Sequence, residues 1–291
     1  MKPEGRTFII SGGSSGLGLA TATALLTQGA NVSLLDLNPP PADISPLLTN
    51  PSRTLYTRTD VSSTASLQHA VSATVAWSSS SNAPLGGVIC CAGIGYGERA
   101  LPRQDPNADA NKVKTMSIEA FDRVIAINLR GTVDLIRLVL PHLAAVKGEG
   151  DDGERGVVVV VSSVAAYEGQ VGQLAYSASK AAVAGIVLPL AREVGRSAGV
   201  RVVGIAPGVF QTGMTSRPRK GGSGAGKAEG EAKKKAAVAE MSAMNSGMIE
   251  WPMRMGKPEE FAEFVMGCVR NGMVNGSVFR LDGAVRMPSR L

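Results

Sequence analysis

The stretch RTFIISGGSSGLG, residues 6–18, decides the fold. It opens with an apolar, strand-forming run at residues 6–10 and ends where a helical pattern begins at Gly16. Between the two lies a loop of glycine and serine. Glycines let the backbone turn tightly, and the amino end of the helix that follows stabilises a phosphate group. Because strand and helix patterns flank the loop, the stretch predicts a phosphate-binding turn rather than a linker.

Outward from this turn, strand patterns alternate with helical patterns along the chain. We predict further strands at residues 31–35, 54–58, 87–91, 157–161, 200–205 and 277–281, and helices at residues 16–28, 63–77, 118–143, 175–197 and 258–270. Residues 157–161 are five valines, which suits a strand buried on both faces. The alternation predicts an α/β protein: a Rossmann-type, doubly wound parallel sheet of about seven strands with helices on both faces, in one domain spanning residues 1–291.

Composition excludes several classes of protein. Hydrophobic residues make up 44% of the 291 residues, enough to bury a core. The longest low-polarity run, residues 181–191, is shorter than the about 18 residues of a membrane span. We therefore expect no span, and residues 1–8 predict no secretory leader. The odd number of cysteines (Cys90, Cys91 and Cys268) argues against a disulfide framework and indicates a reducing compartment. Because the two histidines are not clustered with cysteines, we expect no metal site.

The positive charge is concentrated in one segment. The net charge is +6, and the stretch from Ser216 to Lys235 holds seven basic and two acidic residues. We interpret residues 215–246, which include a glycine-rich run, as a basic flexible insertion. Because the rest of the chain carries little net charge, we do not expect a general nucleic-acid-binding surface.

Acidic residues follow the second and third predicted strands. Asp36 closes the second strand about twenty residues after the glycines, and neither Leu37 nor Asn38 is basic. An acid at this place accepts hydrogen bonds from an adenosine ribose and repels a 2′-phosphate, which favours NAD over NADP. By the same argument we expect Asp60 and Val61, after the third strand, near the adenine.

A second group of polar residues points to acid–base chemistry. Tyr176 and Lys180 lie four residues apart and share one helix face. A nearby ammonium lowers the pKa of a phenol, which is normally near 10, so we expect Tyr176 to act as an acid or base near neutral pH. Ser163 ends the five-valine strand, thirteen residues earlier. Asn128 lies in an apolar helical pattern, where its amide needs partners.

With these residues in this order, the chain resembles the short-chain dehydrogenase/reductase family between Ser11 and Thr212. The resemblance implies reversible hydride transfer between a secondary alcohol and NAD. It assigns Tyr176 as general acid/base, Lys180 to lower the pKa of Tyr176 and hold the nicotinamide ribose, Ser163 to orient the substrate oxygen, and Asn128 to hold a proton-relaying water. The implied cofactor residues are Gly12, Ser15, Gly16, Leu17, Gly18, Asp36, Asp60, Val61, Cys91, Ala92, Gly93, Tyr176, Lys180, Pro207, Phe210 and Thr212; the implied substrate residues are Ser163, Gln173 and Tyr176.

Within the family, residues 155–157, 163–173 and 281–287 are most similar to 3-hydroxyacyl-CoA dehydrogenases. This implies a 3-hydroxyacyl-CoA and 3-ketoacyl-CoA pair as the substrates, and the basic insertion is then a candidate to meet the phosphates of coenzyme A. Cys90 departs from the family pattern, which has asparagine there in many members. We expect a local loss of hydrogen bonding and no redox chemistry from it.

Other interpretations stay open at this point. A ketoreductase or hydroxysteroid-type dehydrogenase of another pathway would share the same four catalytic residues. A scaffold that binds nucleic acid or protein through the basic insertion is the alternative from another class, and the intact catalytic set argues against it. The resemblance also implies a homotetramer packed through helices 118–143 and 175–197 and strand 277–281. Ser289-Arg290-Leu291 resembles a peroxisomal address, with mitochondrion or cytoplasm as alternatives.

Overall fold

The computed structural model describes residues 1–41, 46–101, 109, 113–213 and 248–287. Seven strands form one parallel sheet in the order β3-β2-β1-β4-β5-β6-β7. The strands are β1 (Thr7–Ser11), β2 (Asn31–Asp36), β3 (Thr54–Arg58), β4 (Leu85–Cys90), β5 (Gly156–Val161), β6 (Val200–Pro207) and β7 (Val278–Leu281). The helices are α1 (Gly16–Thr27), α2 (Thr64–Ser80), α3 (Ile118–Ile125), α4 (Gly131–Ala144), α5 (Leu174–Gly185), α6 (Val187–Ala198) and α7 (Pro258–Arg270), with 3₁₀ turns at Pro46–Thr49 and Val164–Ala166. The predicted Rossmann-type sheet is confirmed.

The valines of β5 show why the sheet is covered on both faces. Val157 and Val159 pack into a core with α1 and α7, while Val158 and Val160 pack into a second core with α2, α4 and α6. All four are fully buried. Successive side chains of a strand point to opposite faces, so an unbroken apolar strand needs a helical layer on each side.

The strand order places the site between β1 and β4. The chain leaves β1 towards β2 and β3 on one side of the sheet, and then crosses to β4 on the other side. Ligands of such sheets bind where the order reverses, at the carboxyl ends of the strands. There the two loops join directly: Cys91 N donates to the Ser11 carbonyl (3.1 Å), and Ala92 N donates to Ser11 Oγ (3.3 Å).

The helix predicted at residues 118–143 is not continuous in its hydrogen bonding. A π turn at Ala126–Arg130 separates α3 from α4, and Asn128 lies in it. A π turn accommodates one extra residue, and such turns occur frequently at functional sites. The periodicity of an apolar pattern does not reveal a single added residue, which is why the sequence predicted one regular helix.

One helical stretch bears on the expectation that the chain has no membrane span and does not overturn it. Within the described residues, the stretch Leu174–Ala198 is long and apolar enough to cross a membrane, by length and composition alone. The uninterrupted apolar run at residues 181–191 is shorter than this stretch, because a mean hydropathy tolerates intervening polar residues. In the structure this stretch forms α5 and α6, and Val183, Val187 and Ala191 are buried against the sheet.

Two predicted features lie outside the described residues. The basic insertion at 215–246 falls within the undescribed range 214–247, and Ser289-Arg290-Leu291 falls within 288–291. The coenzyme A hypothesis for the insertion and the peroxisomal address therefore stay predictions.

Candidate active site

The glycine-rich loop depends on close approaches of the backbone. Gly12 has a φ of +67°, and a side-chain carbon there would lie 2.8 Å from the amide nitrogen of Ala92. A side-chain carbon on Gly18 would overlap the carbonyl oxygen of Gly12. Glycine at both positions lets β1, the loop after β4 and α1 meet without a side chain between them.

The amino end of α1 is open to an anion. Ser15 precedes the helix in an extended conformation and makes no side-chain capping bond, and the first turn contains no acidic residue. Ser14 Oγ is buried without a hydrogen-bond partner. Uncapped helical N–H groups and an unpaired buried hydroxyl, with Gly16 and Leu17 in the same turn, fit a pyrophosphate. Thr212 closes over this turn, because its side chain lies next to Gly16.

The side chain of Asp36 is hydrogen-bonded to the same glycine-rich loop. One carboxylate oxygen accepts a hydrogen bond from Ser14 N (3.1 Å) and the other from Asn38 N (3.2 Å). The carboxyl group is half-buried at the end of β2. An ionised carboxylate accepts about four hydrogen bonds, so Asp36 keeps acceptor capacity for ribose hydroxyls.

The loop after β3 is shaped by Asp60 and Val61. Asp60 accepts hydrogen bonds from Ser62 Oγ (2.6 Å) and Ser62 N (2.9 Å), and these bonds lower the pKa of its carboxyl. The carbonyl of Val61 lies against Gly131, where any side-chain carbon would collide with it. Because the exposed carboxylate of Asp60 completes its own turn, its predicted place near the adenine stays a prediction.

Cys91, Ala92 and Gly93 connect the cofactor side to the catalytic residues. A side-chain carbon on Gly93 would lie 3.2 Å from Asn128 Oδ1 and 3.4 Å from Lys180 Nζ. Burial raises the pKa of the Cys91 thiol to about 12 and also raises the pKa of Cys90. Both thiols are therefore protonated near neutral pH, and the absence of redox chemistry at Cys90 stays a prediction.

Asn128 is buried and its side-chain amide is held by protein groups. Its Oδ1 accepts a hydrogen bond from Ile94 N (2.8 Å), and its Nδ2 donates to the Ile94 carbonyl (3.0 Å) and to Ser179 Oγ (3.1 Å). The π turn thus fastens the loop after β4 to α5. Both N–H donors of the amide are used in these bonds. The side chain could therefore hold a water only through its oxygen, Oδ1.

Lys180 is a buried cation above the carboxyl end of β5. Its Nζ donates to the Val161 carbonyl (2.8 Å) and lies 5.9 Å from the centre of the Tyr176 ring. Burial lowers the pKa of Lys180 to about 8, because the charged form loses its hydration. Tyr176 and Lys180 share one face of α5, as their spacing predicts.

The pKa of Tyr176 moves in the opposite direction to the expectation. Burial raises the pKa of the phenol above 10, and the hydrogen bond from Ser163 opposes this only in part. The ammonium of Lys180 is held on the Val161 carbonyl, and desolvation of the phenol, which the spacing of the two residues does not reveal, dominates its pKa. The hydrogen bond places Ser163 and Tyr176 together, with the Tyr176 oxygen as its acceptor, and the raised pKa keeps the phenol protonated near neutral pH.

Two glutamines occupy the loop at residues 167–173, which we call the substrate loop. Gln170 N donates to Gln173 Oε1 (3.1 Å), so the predicted substrate residue Gln173 partly serves to shape the loop. Gln170 is only 8% exposed, and its Nε2 has no hydrogen-bond partner. A buried unpaired donor is costly, so Gln170 is the better candidate to bind a substrate oxygen. No feature of the sequence distinguishes the two glutamines.

Part of the segment after β6 is buried in the hydrophobic core. Pro207 ends the strand, and Gly208 N donates to the Leu281 carbonyl (2.9 Å). The ring of Phe210 is buried against Phe261, with ring centres 6.1 Å apart. The cofactor contact of Phe210 stays a prediction, and with the ring in the core its backbone would have to make it.

Comparisons with known proteins agree with this geometry. The family model described as short chain dehydrogenase matches residues 6–222. The chain is 36% identical to human 3-hydroxyacyl-CoA dehydrogenase type-2 over 286 residues, covering 98% of this chain and 96% of the human protein. Ipsdienol dehydrogenase of Ips pini is 28% identical, covering 98% of this chain and 99% of that protein.

Solved structures show the same likeness. The crystal structure of 3-hydroxyacyl-CoA dehydrogenase type-2 from Mycobacterium avium is similar with a TM-score of 0.78 and 32% identity, covering 98% of this chain and 97% of that one. Levodione reductase gives a TM-score of 0.72 with 27% identity, covering 96% and 97% of the two chains. The chain therefore belongs to the short-chain dehydrogenase family and is an oxidoreductase that uses a nicotinamide cofactor.

Proposed function

We propose that the protein interconverts 3-hydroxyacyl-CoA and 3-ketoacyl-CoA with NAD as the cofactor. The observation that carries the proposal is the meeting of Ser163, Tyr176 and Lys180 at the carboxyl end of β5, next to the open amino end of α1. The acyl-CoA substrate is supported by relatives named 3-hydroxyacyl-CoA dehydrogenase type-2 that match nearly the whole chain.

The residues present fit a dinucleotide. Gly12, Ser15 and Leu17 would hold the pyrophosphate at α1, Asp36 the adenosine ribose, and Lys180 the nicotinamide ribose. The carboxylate of Asp36 supports NAD over NADP, because a 2′-phosphate beside it would meet a like charge. The nicotinamide, when bound, supplies or accepts the hydride, while the protein supplies orientation and proton transfer.

The raised pKa of Tyr176 supports a neutral phenol in the resting site. In ketone reduction the neutral phenol donates its proton to the substrate oxygen, and Ser163 donates a second hydrogen bond that holds this oxygen in place. The buried ammonium of Lys180 stabilises the phenolate as it forms. In alcohol oxidation the same proton returns to Tyr176, so this direction requires the phenolate and is favoured at higher pH.

The unpaired amide of Gln170 supports a second contact to the substrate in the acyl-CoA proposal. Its buried, unpaired Nε2 is a donor in the substrate loop, and the thioester carbonyl of a 3-ketoacyl-CoA is an acceptor two bonds from the reacting centre. A simple ketone offers no second oxygen there. The pairing of this donor with a thioester oxygen would favour acyl thioesters over isolated ketones.

A second candidate is a dehydrogenase or reductase of a smaller alcohol or ketone. It is supported by the similarity to ipsdienol dehydrogenase and levodione reductase, whose names indicate such substrates. This candidate would use the same four catalytic residues and would not need Gln170. The scaffold interpretation loses support, because the chain belongs to an enzyme family and keeps the full catalytic set.

We also propose that the protein assembles as a homotetramer. Large apolar side chains are exposed on α3 (Ile118), α4 (Val133), α5 (Leu174) and α6 (Leu188). Such residues on adjacent helices support a surface that is covered by further copies. Sedimentation velocity of the purified protein tests this, and a stable monomer at micromolar concentration would contradict it.

The test of the function follows NADH absorbance with acetoacetyl-CoA, a steroid ketone and a simple ketone, with NADPH in parallel. We expect turnover of acetoacetyl-CoA with NADH, and at least tenfold lower kcat/KM with NADPH or a simple ketone. Equal or better turnover of the simple ketone would move the function to the second candidate. Preference for NADPH would contradict the role of Asp36.

A further inference from the structure

The substrate loop is fastened at both of its ends. Near its carboxyl end, Glu98 N donates to the Gly172 carbonyl (2.8 Å). Near its amino end, Glu168 Oε1 accepts from Arg280 Nη1 (2.5 Å), and Glu168 Oε2 accepts from Met287 N (2.7 Å). The two fastenings leave Gln170 in the middle of the loop.

The ion pair between Glu168 and Arg280 is built into the fold. The side chain of Glu168 is 19% exposed and that of Arg280 is 28% exposed. Arg280 lies on β7 and also donates to Asp282 Oδ2 (2.7 Å) and the Val285 carbonyl (2.9 Å). Its guanidinium lies 5.9 Å from the centre of the Tyr167 ring. A planar guanidinium held on several sides fixes geometry more strictly than an exposed pair does.

The groups that face Glu168 are cationic or backbone donors. Besides Arg280 and Met287 N, Arg286 lies 3.8 Å from its carboxylate. These groups lower the pKa of Glu168 against the opposing effect of its burial. The carboxylate is therefore charged near neutral pH, and the last strand and the tail after it are connected through it to the loop that carries Gln170.

We propose that Glu168 and Arg280 are a positioning pair that holds the side-chain amide of Gln170 where it recognises an acyl-CoA thioester. This inference rests on the proposed function. In this proposal the pair acts through the backbone of the substrate loop and not by direct contact with substrate or cofactor. Loss of the pair should weaken acyl-CoA binding through Gln170 and leave cofactor binding intact.

The kinetic test replaces the charge and keeps the shape. For Glu168→Gln we expect the KM for acetoacetyl-CoA to rise about tenfold, while kcat and the KM for NADH stay within about twofold. Arg280→Lys keeps the charge without the planar donors, and we expect a smaller rise of about threefold. In a Gln170→Leu background, Glu168→Gln should raise the KM no further, because residues acting as one unit are not additive.

A matched control breaks an ion pair elsewhere. Glu260 binds Arg254 at the amino end of α7 with an N–O distance of 2.6 Å, away from the substrate loop. Glu260→Gln is expected to lower Tm with no change in the KM for acetoacetyl-CoA. If Glu260→Gln raises this KM as much as Glu168→Gln does, the effect is general destabilisation and the proposal is overturned.

A second readout needs no substrate. The amides of Gln170, Gln173 and Ser177 bond within the loop and to the start of α5. We expect Glu168→Gln and Arg280→Lys to speed hydrogen exchange of these amides at least fivefold, with β4 unchanged. Unchanged exchange in both variants would overturn the positioning pair even if the wild-type protein turns over acetoacetyl-CoA. Absence of that turnover would overturn the proposed function instead, and the exchange data would still decide on the pair.

Discussion

The two halves of the site are held together in different ways. The cofactor half, around residues 11–18 and 91–93, is joined by backbone hydrogen bonds and by approaches too close for a side chain at Gly12 and Gly18. The substrate half, residues 163–173, depends more on side chains, above all on Glu168 with Arg280, beside the backbone bond between Glu98 and Gly172. The cofactor half therefore resists any added atom, whereas the substrate half depends on charge and can change its specificity without disturbing the cofactor.

The largest expected effect lies where the two halves meet. Tyr176→Phe removes the phenol proton and leaves the ring, so we expect kcat to fall about 1000-fold with NADH affinity within about threefold. Steady-state kinetics and NADH fluorescence titration measure the two effects. Tyr96→Phe is the control, because among the described residues this phenol donates to Glu98 (2.8 Å), and kcat should stay within about threefold. Residual Tyr176→Phe activity above a tenth would refute the role.

A methyl group tests the cofactor half. Gly18→Ala forces the new carbon onto the Gly12 carbonyl, and we expect a loss of about 2–3 kcal/mol in the free energy of unfolding, together with loss of NADH binding. Gly185→Ala is the matched control, since Gly185 in α5 has open space around it. This variant should gain about 0.5–1 kcal/mol. Urea denaturation measures both, and equal effects would contradict the difference between the halves.

Lys180 gives the catalytic end a distinct pH dependence of stability. Its pKa is lowered to about 8 in the folded protein, while an unfolded lysine titrates at about 10.4. Between these values the unfolded chain binds more protons, so stability increases with pH. Relative to Lys180→Met, the free energy of unfolding of the wild type should rise by about 1.5 kcal/mol from pH 8 to 9.5. Urea denaturation of both proteins at the two pH values measures this, and a constant difference would show that the ammonium is hydrated.

Substitution of the two glutamines tests which of them contacts the substrate. Gln170→Leu removes the unpaired donor, and we expect the KM for acetoacetyl-CoA to rise about tenfold with no change for a simple ketone. Gln173→Leu removes only a bond within the loop and should raise the KM about threefold. Steady-state kinetics on both substrates decides between them. A larger effect at Gln173 would restore it as the main substrate contact.

The cofactor half could be predicted because its residues lie close together in the sequence. Gly12, Gly18 and Asp36 follow one strand–turn–helix–strand unit, and their spacing alone places them at one sheet edge. The spacing of Tyr176 and Lys180 likewise predicted a shared helix face. It did not predict the direction of the pKa shift at Tyr176, because burial depends on distant segments that pack over α5.

The substrate half could not be predicted in the same way. Glu168 and Arg280 are 112 residues apart, and no local pattern indicates that they pair. The unpaired amide of Gln170 becomes visible only when the surrounding groups are placed. Likewise the π turn adds one residue to a helical pattern, a change too small for apolar periodicity to register.

Because of that π turn, the segment from Ile118 to Ala144 cannot be shortened or divided without changing how its two helices are oriented. A regular helix advances about 100° per residue, so removing one residue from Ala126–Arg130 would rotate α3 against α4 by about that angle. Either Asn128 would turn away from Ser179, or Leu135 and Leu143 would turn away from the sheet. A chimaera built from two relatives should therefore exchange this segment whole, with its crossover points placed in the loops that flank it.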